Sequence, residues 1–227
     1  MSAATLIAAQ RQVPINEQFA QLTYQPSIDG VVLPAAPLVL FGRGQYHQVP
    51  VIVGANKKEV PGLVYFKQND KTSYTKLLRS AYPSDEAFKA VSAYYSKKRF
   101  GSYMNAMGAL HTDRVFVCST RRLVRLLGKS QAEPVFTYNY DALGGFHGAE
   151  LPMIFQRMGF LGGDLQLAMG RYWTTFAKNG VPTAKGQPAW PKYDEATDRL
   201  QILASPIKTV SGYANAGCDV IDRFQPQ

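Results

Sequence analysis

Two short runs constrain this chain more than anything else in it. Val49-Pro50-Val51-Ile52-Val53-Gly54 is apolar, β-branched and bounded by turn residues, the profile of a strand buried in a parallel sheet. Pro134-Val135-Phe136-Thr137-Tyr138-Asn139-Tyr140 is the second, rich in aromatic and β-branched residues. Between them the pattern predicts helices over 74–81, 85–95 and 103–111, with Pro83-Ser84-Asp85 as a start signal. Thr112-Asp113 opens a further helix that runs through Phe116 and Cys118 to about Leu127 and is closed by Gly128. Beyond the second run, residues 164–178 form the best amphipathic helix, with Leu165, Leu167, Ala168, Tyr172, Trp173 and Phe176 on its core side and Asn179-Gly180 as its cap. Leu200 to Leu203 offers one more short strand or turn. Strands interleaved with helices predict an α/β fold. Two or three strands are nevertheless few for a complete α/β domain of 227 residues.

The rest of the chain connects these pieces. Residues 1–20 read as a helix broken at Pro14, and the absence of a basic residue before the apolar patch of Met1 to Gln10 makes it a poor signal peptide. Pro26 to Pro37 is an irregular loop with a turn at Asp29-Gly30, followed by a short helix from Leu38 that ends on Gly44. Pro152 to Phe155 begins a structured turn, and 182–191 is a proline-rich loop carrying Trp190. No repeat or linker divides the chain, so residues 1–227 read as one unit. With 46% hydrophobic and 18% charged residues it has the means to bury a core. No apolar run approaches the roughly 20 residues that span a bilayer.

The formal charge of +9 raises nucleic acid or an anionic surface as a partner. The cations are scattered apart from Lys97-Lys98-Arg99 and Arg121-Arg122-Leu123-Val124-Arg125. The second group is spaced as the wet face of an amphipathic helix, so no nucleic-acid partner is expected. Cys118 and Cys218 are too few for a metal site, and on composition alone they read as two buried thiols. No metal or other cofactor is expected.

Chemistry is concentrated after the two strands, where open α/β sheets gather their reactive groups. The first is followed by Ala55-Asn56-Lys57-Lys58-Glu59, the second by a glycine-rich loop, Asp141-Ala142-Leu143-Gly144-Gly145-Phe146-His147-Gly148-Ala149-Glu150. Imidazole exchanges protons near neutral pH, and flanking glycines let the backbone turn and keep the ring approachable. Position alone does not separate a proton-transfer histidine from a solvated one, nor an orienting carboxylate from a surface glutamate beside two lysines.

Longer patterns go further. Gly145-Phe146-His147-Gly148-Ala149-Glu150-Leu151-Pro152 with Phe155 resembles the catalytic-histidine segment of the type-B carboxylesterases, the family of cholinesterases and bile-salt lipases. Val51 to Glu59, a strand followed by Gly-x-Asn-x-x-Glu, is similar to that family's acid-bearing segment. Ile28-Asp29-Gly30 with Leu33-Pro34 and Pro37 also resembles a pattern of that family, as do Thr112-Asp113 with Phe116 and Cys118, Tyr172-Trp173 with Phe176-Ala177-Lys178, and Trp190-Pro191 with Tyr193. These matches cover roughly residues 22–224. The resemblance implies the C-terminal part of an α/β-hydrolase fold, an incomplete central sheet with surrounding helices. It implies that His147 and Glu59 are the base and acid of a Ser-Glu-His ester hydrolase whose order is serine, acid, histidine. Glu150 is then a fallback carboxylate that more plausibly supports the loop. Cys118 and Cys218 match positions joined as a disulfide in some relatives.

Two departures limit what the resemblance implies. Where the family has glycine directly after its acid, this chain has Val60-Pro61, with glycine only at Gly62, so the acid turn is expected to be displaced. None of the 12 serines lies in Gly-x-Ser-x-Gly. The nearest, Gly128-Lys129-Ser130-Gln131-Ala132, follows a helix and precedes a strand, whereas a nucleophile elbow needs the reverse; a phosphate loop there would need glycine where Leu123 stands. The family's glycine-rich oxyanion loop is absent too. The resemblance therefore implies the carboxyl-terminal half of an ester hydrolase, inactive alone, with the ester substrate as ligand of the complete enzyme and a separate amino-terminal half as the candidate partner. The alternative is a non-catalytic cholinesterase-like binding module. A basic nucleic-acid binder is the remaining class.

Overall fold

The computed structural model describes residues 2–10, 27–62 and 68–224. Both expected strands form and lie side by side. β1 (Val51–Asn56) pairs in parallel with β2 (Val135–Tyr140), in register from Val51 opposite Val135 to Asn56 opposite Tyr140. β3 (Arg199–Leu203) adds in parallel to the other edge of β2, and β4 (Lys208–Ser211) returns antiparallel to β3, giving the order β1-β2-β3-β4.

Side chains alternate across this sheet, as strand geometry requires. Val51, Val53 and Val135 meet Val124 and Leu127 of one helix. Ile52, Phe136 and Tyr140 meet Leu165, Met169 and Tyr172 of another on the opposite face. The first of these helices is α7 (Cys118–Ser130), the second α9 (Gly163–Asn179). α9 closes on Gly180 in the left-handed region, whose N–H reaches the Phe176 carbonyl at 2.7 Å. Of its expected core side, Leu165, Ala168 and Tyr172 are buried and Trp173 and Phe176 half-buried, but Leu167 is exposed.

The crossover from β1 to β2 is helical: α3 (Lys71–Ala81), α4 (Asp85–Tyr94), α5 (Lys97–Phe100), α6 (Tyr103–Thr112), a π-helical turn (Asp113–Val117) and α7. Asp70, Ser84, Ser96 and Ser102 cap α3 to α6 by accepting a backbone N–H of the first turn. Their apolar faces close over Leu78, Val91, Tyr95 and Leu110, all fully buried. α10 (Asn215–Asp222) seals this core, and Cys218 on it is joined to Cys118 as a disulfide. Earlier in the chain lie α1 (Ala3–Gln10) and α2 (Pro37–Gly42), with α8 (Leu151–Ile154) after the histidine loop. The expected break at Pro14 lies outside the described residues. Asp29 holds its turn by accepting the N–H groups of Val31, Val32 and Leu33. Those backbone donors hold its carboxyl below the usual range.

Several expectations are corrected. No break separates α6 from the next helix at Thr112-Asp113; the chain passes through the π turn instead. Gly128 does not stop α7, which runs to Ser130, because packing against the Tyr193 ring outweighs its weak helix propensity. The short helix ends at Gly42 rather than Gly44. The arginine face of α7 is not wet. Arg121 is nearly buried and pairs with Asp219 and Asp222 of α10 at 2.7 Å each, Arg122 also pairs with Asp222, and Arg125 lies 3.6 Å from Asp198.

Candidate active site

Glu59 and His147 stand 88 positions apart in sequence and meet at the carboxyl ends of the adjacent strands β1 and β2. Glu59 Oε2 lies 2.6 Å from His147 Nδ1. The carboxylate is buried while the imidazole side chain is 61% exposed. The second carboxylate oxygen, Oε1, accepts the Asn56 backbone N–H at 2.7 Å. Each oxygen of Glu59 therefore has one partner, and the carboxylate cannot swing without breaking a buried bond. With Nδ1 committed to Glu59, Nε2 is the ring nitrogen that the carboxylate does not engage.

The loops behind this pair are stitched together. The parallel ladder continues past the strands, with Lys57 N–H donating to the Tyr140 carbonyl at 3.0 Å and Lys58 N–H to the Gly145 carbonyl at 2.8 Å. Gly145 adopts φ 63°, and a side chain there would lie 2.9 Å from Lys57 Cβ, so only glycine lets the two loops touch. Asn56 reaches across with its side chain, donating to the Phe146 carbonyl at 2.7 Å and to Glu150 Oε2. Glu150 thus buttresses the histidine loop through Asn56, and is not the carboxylate bonded to the imidazole. Asn56 was present in the sequence pattern, but its bridging role depends on partners 90 and 94 positions away.

The unusual Val60-Pro61-Gly62 segment does not carry Glu59 away from the histidine. Val60 N–H donates to Thr112 Oγ1 at 3.0 Å, and Gly62 packs against the backbone of α6 so closely that a Cβ would sit 2.0 Å from the Met104 carbonyl oxygen. Beside this turn is a cavity of about 520 Å³ whose walls include Lys58, Val60, Phe100, Thr112, Asp113 and Phe146. Burial pushes the Asp113 carboxyl up to about 6, against the opposing effects of the Tyr95 hydrogen bond and Arg99. Burial, then the charges of Glu150 and Glu59, also pushes the Tyr138 phenol up.

Ser130 lies on the last turn of α7, its Oγ 2.6 Å from the Tyr46 hydroxyl, far in role from a strand-to-helix elbow. Among the described residues no group of three or more potential ligands could hold a metal ion, and no helix is long and apolar enough to cross a membrane.

A mixed sheet flanked by helices, with an acid and a histidine at the ends of neighbouring parallel strands, defines an α/β hydrolase. The solved structure of a PNB esterase superimposes on 97% of this chain with a TM-score of 0.77 at 22% identity, and a thermophilic PNB esterase with 0.78. The carboxylesterase family model matches residues 1–221, and the chain belongs to that family, as part of a type-B carboxylesterase. Carboxylesterase 1E of Mus musculus is 28% identical over 210 residues, and the cocaine esterase of Homo sapiens 27% over 216. The chain spans 49% of the first PNB esterase, and the matches cover 37% and 38% of those two relatives.

Proposed function

We propose that this chain carries the acid and base of carboxylic ester hydrolysis, and that the nucleophilic serine comes from the remainder of an esterase fold. The observation that carries the reading is the 2.6 Å contact of His147 Nδ1 with a buried Glu59. In such a dyad Glu59 fixes the imidazole tautomer and steadies its protonated form. His147 Nε2 takes the serine proton as attack begins, then delivers it to the departing alcohol oxygen. The 520 Å³ cavity beside the acid turn would receive part of the ester.

The surroundings support a missing complement of stated kind. Among the described residues β1 is an edge strand, built of Val51, Ile52 and Val53, and an open edge of unpaired backbone groups is a template for a further strand. The histidine loop and α8 expose Leu143, Phe146, Leu151 and Phe155, a clustering of large apolar groups that marks an interaction surface. The fitting partner is a serine-bearing half that adds a strand to β1.

The test is hydrolysis of a p-nitrophenyl ester by the 227-residue chain, alone and co-expressed with a segment encoding Gly-x-Ser-x-Gly. The expected result is no turnover alone, and turnover by the pair that a serine-directed phosphonate abolishes and His147→Ala lowers on the order of 10⁶-fold. Phosphonate-sensitive turnover by the chain alone would sink the assignment of the nucleophile. The absence of Gly-x-Ser-x-Gly also favours a second reading, a non-catalytic binding module. That reading requires ligand binding unaffected by His147→Ala.

A further inference from the structure

A single hydrogen bond sets the distance between Glu59 and His147 but leaves the imidazole free to pivot about it. A side chain that is 61% exposed needs another contact to fix its plane. The Phe116 ring supplies one, its centroid 5.4 Å from that of His147 with the planes inclined by 59°. Four residues earlier, buried Thr112 accepts the N–H of Val60, the residue next to Glu59, at 3.0 Å. Both contacts come from one segment, α6 and the π turn that continues it. We propose that the junction of α6 with this π turn is the positioning device of the dyad, with Phe116 of the turn setting the plane of His147 and Thr112 at the end of α6 fixing the turn that bears Glu59. The proposal rests on the dyad reading above.

The register matters because a π turn is one residue wider than an α turn. Its closing bond runs from the Cys118 N–H to the Asp113 carbonyl, five residues back. Removing that extra residue would rotate everything beyond it by about 100°, turning Phe116 away from the imidazole. The irregular turn persists because both ends are fastened. At the start, Asp113 accepts the Tyr95 hydroxyl at 2.7 Å; at the end, Cys118 is bonded to Cys218. Neither fastening touches the dyad, so their effect on it passes through Thr112 and Phe116. These are positioning residues, and neither would exchange a proton with substrate.

The readout is the tautomer of His147 in the intact 227-residue chain, followed by long-range ¹H–¹⁵N spectra above the pH where the ring is protonated. His147→Ala assigns the signals, and Glu59→Gln reports the dyad itself. In the wild type the ring should stand as the Nδ1–H form. Phe116→Ala should release it to a mixture of both tautomers, Phe116→Tyr should restore the single form, and Thr112→Val should give a mixture that Thr112→Ser does not. Near-UV circular dichroism establishes that each variant is folded. Should Phe116→Ala fail to fold, Phe116→Leu keeps the bulk and removes the ring: a mixture supports the proposal, a single tautomer overturns it. A wild-type ring already mixed and insensitive to Glu59→Gln would sink the dyad reading instead. A fixed wild-type tautomer that survives unchanged in folded Phe116→Ala and Thr112→Val overturns the positioning role alone.

Discussion

The helical crossover and the strand-end site are built on opposite principles. In the crossover, large side chains such as Leu78, Val91, Tyr95 and Leu110 are fully enclosed, four helices are capped at their starts, and a disulfide ties α7 to α10. One of its cations, Arg121, is nearly buried, held between Asp219 and Asp222. At the strand ends the contacts are polar, the imidazole faces outward, and Leu143, Phe146, Leu151 and Phe155 lie open to water. The difference teaches where stability is stored. Burial and cross-linking hold the crossover, and the crossover touches the site at Thr112, bonded to Val60, and at Phe116, packed on His147. The imidazole itself is left approachable.

The largest effect separating the two regions should come from the disulfide. Cys118 and Cys218 lie 100 residues apart, and closing a loop of that size stabilises by up to about 4.7 kcal/mol in the chain-entropy account. Urea titrations with and without a reductant should show a drop approaching that amount. Because the bond ties α10 to the crossover core, the loss should appear first in amide exchange of α10 and α7. A reduced chain as stable as the oxidised one would break the contrast, since the enclosed region would then owe nothing to its cross-link.

A second, smaller effect concerns Asp113, where the two regions meet. In the unfolded chain its carboxyl ionises near the ordinary 3.8; in the fold burial keeps the proton on until about 6. As pH rises the unfolded chain therefore ionises first, and the fold loses stability between about pH 4 and 6. The displacement corresponds to about 3 kcal/mol, fully paid at neutral pH and absent below pH 4. Asp113→Asn keeps an acceptor for the Tyr95 hydroxyl and has no proton to release. It should match the wild type at pH 4 and exceed it by up to about 3 kcal/mol at pH 7 in denaturant titrations. Equal stability at both pH values would show that Asp113 ionises in the fold as freely as in water.

How much of this could be read from the sequence follows the same division. β1 and β2 were legible because apolar runs are local. Glu59 and His147 were singled out by the resemblance of their Gly-x-Asn-x-x-Glu and Gly-Phe-His-Gly segments to a family, and the fold brings the two side chains together. α9 was legible from its apolar period and its Asn179-Gly180 end. β4 was not, because Lys208-Thr209-Val210-Ser211 is an exposed edge strand held by its pairing with β3 rather than by an apolar face. α10 was not, because it begins after Ala214 in the left-handed region with no capping side chain and carries Gly217 within it. Its fixity comes from the bond of Cys218 to Cys118, the burial of Ile221 and the ion pairs with Arg121, contacts whose partners are distant in sequence. The π turn is a register rather than a composition, and the bridging of Asn56 to Phe146 and Glu150 needs two loops already side by side.

The smallest expected effect probes the open side. Lys57 Nζ lies 2.7 Å from Asp141 Oδ2, joining the two loops that carry Glu59 and His147. Distance alone would rank this pair with those of Arg121, yet its side chains are 47% and 35% exposed, against 9% for Arg121. Water on both partners weakens the attraction, and holding two long groups in one geometry costs entropy. Exposed pairs accordingly contribute about 0.2–1 kcal/mol. The loops also have a stronger tie in the backbone bonds of Lys57 and Lys58 to Tyr140 and Gly145, which a side-chain truncation leaves intact. Lys57→Ala should thus lower stability by less than about 1 kcal/mol, and the difference should fade toward 1 M salt, where the screening length falls to about 3 Å. A loss of several kcal/mol, insensitive to salt, would mean that the strand-end region stores stability of its own.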